Sequence, residues 1–181
     1  MIAGHVGLAL GAKRIRPRAP LAALVGASLA PDVLEGVLRL GGASYAAATM
    51  GSHSIPAAAI VALVLAAFAR AAFRDLRTAI LVAALVGSHL LADYLTGLKP
   101  AWPGGPLLGW RLYLHPLVDF AVEGGTVVTG WALYRETLPE RARKSVLLGG
   151  MLLLLLGEQA AFDSLDRFKP ALHRLVDPYW P

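Results

Sequence analysis

The sequence predicts an all-α protein, a polytopic transmembrane helix bundle of about five spans with a short N-terminal half-helix. Hydrophobic residues make up 56% of the chain and charged residues only 16%, whereas soluble domains average about 45–50% and about 25%. Several apolar segments also approach the roughly 20 residues that a helix needs to cross a bilayer. This composition excludes a disordered chain, and the absence of cysteine excludes a disulfide scaffold or a thiolate metal site.

The predicted elements start with an apolar segment, residues 1–12, which a basic cluster follows. As a helix this segment is about 18 Å long, too short to span a bilayer. Its charges follow the apolar run, unlike those of a signal peptide, so we expect a half-helix packed against the bundle. Five longer segments are the predicted spans, and we treat residues 1–181 as a single integral membrane domain. The spans are residues 20–40, 56–73, 78–98, 112–134 and 145–162.

The distribution of basic residues predicts the orientation of the bundle. Most of the 17 Lys and Arg residues fall in three loops that an alternating five-span arrangement places on one side. Because basic residues concentrate in cytoplasmic loops, we expect that side to face the cytoplasm, in a plasma (inner) membrane of bacterial type. The net charge of +5 follows from this bias, so the expected partner is the lipid bilayer and not nucleic acid. The basic residues on this side are Lys13, Arg14, Arg16, Arg18, Arg70, Arg74, Arg77, Arg135, Arg141, Arg143 and Lys144.

The segment 98–114 lies on the opposite side in this arrangement. It contains three Pro and three Gly and therefore cannot form a regular helix throughout. The sequence leaves two interpretations open, a cover over a site on the outer face or a simple connector.

Several ionisable residues lie in or beside the apolar segments, where a charge is costly. His89 and Asp93 are four residues apart and share a helix face, and His115 and Asp119 repeat that spacing. At 1.5 Å per residue, most of these residues fall in the half of the bilayer away from the basic loops. We therefore expect them to converge on one site. The candidate metal ligands are His5, Asp32, His53, His89, Asp93, His115 and Asp119.

This set of residue types predicts metal binding. Imidazole and carboxylate ligands together suit Zn²⁺, with Mn²⁺ or Fe²⁺ as competitors, and one to three ions are expected. Paired metals stabilise the attacking and leaving oxygens of a displacement at phosphorus. A structural polar network and an ion or proton pathway are the alternatives. Glu123 and Glu158 either orient the histidines or make ordinary contacts between helices.

Four motifs in the first 100 residues resemble those of the YdjM-like membrane-bound metal-dependent hydrolases. In chain order they read HVGLALG, LVGASLAPD, SHS and SHLLADYLTG. That family is distantly similar to the zinc-dependent phospholipases C and the S1/P1-type nucleases. The resemblance implies one metal held by Asp32, His53, His89 and Asp93, a second near His115 and Asp119, and a third near His5 and Asp93. The sequence departs from the soluble enzymes in carrying Asp119 where they have Glu.

Together the residues and the resemblance predict a membrane-embedded hydrolase that uses a metal-activated water to cleave a phosphoester bond. A site in the outer half of the bilayer meets lipid headgroups most easily, so a phospholipid-like substrate is expected on the non-cytoplasmic face. Asp32 is the predicted catalytic residue, which orients or deprotonates the water. The alternatives are a metal or proton transporter that uses the same His/Asp cluster, and a non-catalytic membrane scaffold.

Overall fold

The structure, a computed structural model, describes residues 2–166. This part of the chain is helical except for one short hairpin and the turns that join the elements, which confirms the all-α class. The prediction of one domain over residues 1–181 reaches beyond the described residues. The elements are α1 (Ile2–Ile15), α2 (Leu21–Leu40), α3 (Tyr45–His53), α4 (Ile55–Phe73), α5 (Leu76–Thr96), β1 (Lys99–Pro100), β2 (Leu107–Leu108), a 3₁₀ turn (Leu112–Leu114), α6 (Pro116–Glu136), α7 (Glu140–Arg143) and α8 (Val146–Asp166).

Four of the described helices are long and apolar enough to cross a membrane, namely α2, α4, α5 and α8. The fifth predicted span, residues 112–134, also contains a helix of 21 residues, α6. It is not one of the four, because it carries Asp119 and Glu123 within its apolar run. This helix packs against α1 and α8. It begins only at Pro116, a residue type that is favoured in the first helical turn, so the predicted start at residue 112 is wrong.

Polar caps set the starts of three helices. The side chains of Ser44, Ser54 and Asp75 accept a backbone N–H at the starts of α3, α4 and α5, which satisfies a donor that has no partner within the helix. Ser54 follows His53, the last residue of α3. The SHS motif therefore ends one helix and caps the next, which fixes the backbone on both sides of its histidine.

Helix α1 is the predicted half-helix, and it packs against α6 through glycines. A Cβ atom on Gly7 would lie 2.8 Å from the carbonyl oxygen of Thr126, and one on Gly130 would lie 1.9 Å from the carbonyl oxygen of Gly7. Small residues allow two membrane helices to approach this closely. The first turns of α1, including His5, are consequently buried inside the bundle.

Two ion pairs join the basic loops at one end of the bundle. Arg14 Nε lies 3.1 Å from Glu136 Oε2, and Arg16 Nη2 lies 2.8 Å from Asp75 Oδ2. The segments that follow α1, precede α5 and end α6 therefore meet at this end, as the five-span arrangement requires. That this end faces the cytoplasm stays a prediction.

The segment 98–114 forms an antiparallel hairpin at the other end. Lys99 in β1 pairs with Leu108 in β2. The Ile55 amide donates to the Ala101 carbonyl at 2.9 Å, which ties the hairpin to the start of α4. Gly109, with φ +147°, follows β2 where a Cβ would lie 1.9 Å from the carbonyl oxygen of Gly97. The irregular structure predicted here is confirmed, and the hairpin is fixed to the helices that carry the candidate site.

Candidate metal centre

Four predicted ligands from three helices meet near the hairpin end of the bundle. Asp32 comes from α2, His53 from the end of α3, and His89 and Asp93 from α5. Each offers one ligand atom, and these four atoms lie within 4.8 Å of one another. They are the four residues that the family resemblance implies for one metal, and we call them the His/Asp group.

The spacing of the four atoms suits a tetrahedral ion. The two histidine Nε2 atoms are 3.2 Å apart. Asp32 Oδ1 lies 3.3 and 3.7 Å from the Nε2 atoms of His53 and His89, and Asp93 Oδ2 lies 3.3 and 3.5 Å from them. Zinc bonds to nitrogen and oxygen of about 2.0–2.1 Å give a tetrahedron with edges of about 3.3–3.4 Å. The five distances bracket that value.

Hydrogen bonds at the Nδ1 atoms of His53 and His89 fix which ring nitrogen faces the His/Asp group. His89 Nδ1 lies 2.7 Å from the Ser28 carbonyl oxygen, which can only accept, so the ring proton sits on Nδ1. His53 Nδ1 lies 2.7 Å from Ser52 Oγ and 3.2 Å from Glu35 Oε2. The Ser52 hydroxyl donates to a backbone carbonyl, so it and Glu35 both accept from His53. In the neutral form, each Nε2 therefore presents a lone pair to the group.

Four hydrogen-bond acceptors thus point at one another in a largely buried space. They repel unless a proton or a metal cation lies among them. Asp93 Oδ2 has three nitrogen atoms within 3.5 Å, and only that of Lys99 is an obligatory donor. Two imidazoles and two carboxylates at these distances fit a divalent cation such as Zn²⁺, Mn²⁺ or Fe²⁺.

The protonation of His53 makes the metal affinity of this site depend on pH. Burial lowers the pKa of His53, but hydrogen bonds with Asp32 and Glu35 outweigh burial and raise the pKa above its usual value. A metal binds the neutral imidazole, so metal binding at this site displaces a proton and strengthens as pH rises.

The structure places His5 beside the His/Asp group and not within it. Its Nε2 lies 3.2 Å from Asp93 Oδ1, and its ring stacks on His89 with 3.7 Å between ring centroids. Burial lowers the pKa of His5 to about 4, so the ring is neutral and donates Nε2–H to the carboxylate. This contact leaves Asp93 Oδ2 to the group. The role of His5 as a ligand to a third ion stays a prediction.

His115 and Asp119 lie outside the His/Asp group, although they repeat its spacing. His115 is exposed and precedes α6. Asp119 and Glu123 are buried on α6, whose main packing partners among the described helices are α1 and α8. The role of His115 and Asp119 as ligands to a second ion stays a prediction.

A known family matches most of the chain. The sequence model of a family described as YdjM inner membrane protein covers residues 1–157. The chain belongs to the YdjM family. The assignment made from four short motifs is confirmed, and with four apolar helices it indicates an integral membrane protein. No curated protein and no solved structure matches the chain.

Two residues of this YdjM-family site escaped the sequence reasoning. Glu35 accepts from His53 and from the Thr49 hydroxyl at 3.1 Å; its position three residues after Asp32, on the same helix face, was a usable signal. Lys99 Nζ lies 3.1 Å from Asp93 Oδ2, with the side chain 17% exposed. No periodicity marks Lys99, because it lies in the irregular segment.

The charge of Lys99 is kept by its acidic surroundings. Burial lowers the pKa of Lys99, but the negative charges around it, that of Asp93 first and also that of Glu35, outweigh burial and raise the pKa. Lys99 therefore brings a positive charge to the edge of the His/Asp group.

Proposed function

We propose that this YdjM-family protein is a membrane-embedded, metal-dependent hydrolase that cleaves a phosphoester bond in a phospholipid-like substrate. The observation that carries the proposal is the convergence of four acceptor atoms within 4.8 Å of one another, three of them on buried side chains and the fourth on the partly exposed Asp32. The reaction type is an expectation that comes from the resemblance of the ligand order in the sequence to that of zinc-dependent phospholipases C. No part of this proposal requires the second or third ion.

The exposure of the four side chains assigns different roles to them. Those of His53, His89 and Asp93 are at most 5% exposed, whereas that of Asp32 is 34% exposed. Catalytic zinc sites use three protein ligands and leave one position open. The three buried residues would hold the ion, with Asp32 on the open side. A divalent cation there supplies a water of lowered pKa and stabilises charge on the phosphoryl oxygens.

The protein's own residues orient the donors and move the proton. The Ser28 carbonyl holds the ring of His89, and Glu35 holds the ring of His53, so both Nε2 atoms keep their direction. Asp32 accepts a proton from the attacking water as that water's oxygen bonds to phosphorus. The ester P–O bond then breaks, and the leaving oxygen takes the proton that Asp32 accepted, so the product departs as an alcohol.

An apolar cavity favours a lipid as the substrate. It has a volume of about 840 Å³ and lies between α1, α5 and α6, a size within the roughly 300–1,000 Å³ of known ligand sites. Ser88 and Val122 line it, and they immediately precede His89 and Glu123. An acyl chain in this cavity would lie beside the part of α5 that carries His89.

The first test is the metal content of the full chain in detergent, prepared without chelator and measured by mass spectrometry. We expect one ion per chain in the wild type and none in His89→Ala or Asp93→Ala. His115→Ala is the matched control, since it changes a histidine of the same spacing outside the group, and it should keep the metal. A wild type that stays metal-free after zinc is added back overturns the hydrolase proposal and favours the scaffold.

The second part of the test is hydrolysis by the metal-loaded protein. Asp32→Asn should retain the metal and lose about 10²–10⁴-fold in rate, the usual contribution of a general base. A long-chain phosphodiester should be cleaved at a lower KM than a short-chain one. Metal-loaded protein that cleaves neither diester, but moves zinc or protons across a liposome membrane, contradicts the hydrolase and supports the transporter.

A further inference from the structure

Lys99 stands out because a lysine beside a metal site needs an explanation. Its ammonium group lies 3.1 Å from Asp93 Oδ2, the same oxygen that belongs to the His/Asp group. A metal bound to that oxygen by a bond of about 2.1 Å would leave the ammonium within about 5 Å of the ion. Two positive centres would then share one carboxylate oxygen and repel each other. A positive charge at this distance weakens metal binding, so Lys99 needs a function other than support of the metal site.

The hairpin holds Lys99 at this point. Strand β1 pairs with β2, the Ala101 carbonyl accepts from Ile55, and the Trp110 amide donates to the Tyr94 carbonyl at 2.9 Å. Tyr94 also donates its hydroxyl to the Pro100 carbonyl at 3.3 Å. The backbone on both sides of Lys99 is therefore tied to α4 and α5, and its charge is presented at a fixed place.

The charges around the site point to an anion as the missing partner. Three carboxylates, those of Asp32, Glu35 and Asp93, and one ammonium, that of Lys99, lie at the site, so the formal sum with neutral histidines is −2. A divalent cation would bring this sum to zero. The side chains of Lys99 and Asp32 are both partly exposed, at 17% and 34%. A lysine in that position is a point charge suited to a phosphate oxygen.

We propose that Lys99 binds the phosphoryl group of the substrate from the hairpin, at the edge of the His/Asp group that would hold the metal. This inference rests on the proposed function, and it names the residue that selects an anionic substrate. Positive groups aimed at a transferring phosphoryl stabilise the charge that develops on its oxygens. Lys99 is accordingly a substrate-binding residue and not a metal ligand.

The test is the affinity of the zinc-loaded full chain for inorganic phosphate, measured by titration calorimetry. Lys99→Gln should weaken phosphate binding at least tenfold while zinc remains bound, and Lys99→Arg should recover most of the affinity. Arg111→Gln is the matched control, because Arg111 is an exposed basic residue of the same segment. Its phosphate affinity should stay within twofold of the wild type.

A measurement on the wild type covers the case in which Lys99→Gln does not fold. Phosphate should slow the labelling of Lys99 by an amine-reactive reagent and leave the labelling of Lys144 unchanged, since the side chain of Lys144 is 74% exposed and lies near the other end. Unchanged labelling of Lys99, or unchanged phosphate affinity in Lys99→Gln, overturns this inference and leaves the hydrolase intact. A wild type that binds no zinc overturns both.

Discussion

Helix α5 carries a carboxylate near each end, and the two meet opposite surroundings. Asp75, at its start, accepts from the Thr78 amide at 3.0 Å, from the Thr78 hydroxyl and from the Arg16 guanidinium at 2.8 Å. Asp93, near its end, faces two imidazole nitrogens whose protons point elsewhere. The first carboxylate meets donors only, whereas Oδ2 of the second meets two imidazole lone pairs beside the single ammonium of Lys99. The metal site is marked here by acceptors that crowd around a carboxylate and not by the number of acidic residues.

The N-terminal segment contacts both of these regions. His5, in the first turns of α1, donates to Asp93, and Arg16, just after α1, pairs with Asp75. The separation of these two residues corresponds to about 16 Å of helix. The half-helix therefore contacts both the His/Asp group at Asp93 and the helix cap at Asp75. The following predictions test the two regions separately.

Removing the carboxylate that orients His53 should have the largest effect, and the effect should be limited to zinc affinity. Glu35→Ala deletes an acceptor for the His53 Nδ1–H, so the ring loses its fixed direction. Partners of this kind contribute about 10–100-fold to metal affinity, and we expect a loss of that size in competition with a zinc chelator. Glu136→Ala, which breaks the exposed pair with Arg14, should leave zinc affinity unchanged. Equal zinc affinity in Glu35→Ala and the wild type would show that Ser52 alone orients His53.

Separating α1 from α6 should destabilise the bundle as a whole. Gly130→Ala places a methyl group against the Gly7 carbonyl, and overpacking of this kind costs about 1–3 kcal/mol. Gly125→Ala is the control on the same helix, since nothing lies within 4 Å of its Cβ position; it should be neutral or stabilising by up to about 1 kcal/mol. Thermal unfolding in detergent measures both. Equal Tm values for the two variants would contradict the close contact.

The smallest effect is expected from the cap at the other end, and it should depend on pH. Hydrogen bonds from Thr78 and Arg16 lower the pKa of Asp75 from 3.8 to about 2. The pKa is lower in the folded state, so ionised Asp75 stabilises the fold above about pH 4, and that contribution disappears between about pH 4 and pH 2. The Tm of Asp75→Asn should therefore lie below that of the wild type at neutral pH and converge with it in acid. A difference in Tm that persists at pH 2, or a loss of zinc at neutral pH, would contradict this assignment.

The same sequence spacing leads to different surroundings in two histidine–aspartate pairs. His89 and Asp93 both lie inside a helix that α1 and α2 contact, so a shared face brings them together with further ligands. His115 has the same spacing to Asp119, but the helix begins only after it, and the side chain stays exposed. Sequence spacing shows that two residues share a face of one helix. A metal site also needs ligands from neighbouring helices, and the fold determines which helices are neighbours.

The contributions of irregular segments were the hardest to predict. The four members of the His/Asp group followed from intramembrane charges and from the family motifs. Lys99 comes from a hairpin whose path depends on hydrogen bonds to α4 and α5, and no periodic pattern encodes those bonds. Helix α3 was likewise missed, because its nine residues are too few to show a period.

The contact between Gly7 and Val127 also determines when helix α1 can complete its packing during synthesis. The two residues are 120 positions apart in the sequence, and a ribosome adding about 5–20 residues per second needs about 6–24 s to make the intervening chain. Helix α1 thus leaves the ribosome before α6, and its packing is complete only when α6 has been inserted. A nascent chain that stops before α6 carries His5 and all four members of the His/Asp group, with α1 held only by its contacts with α2 and α5.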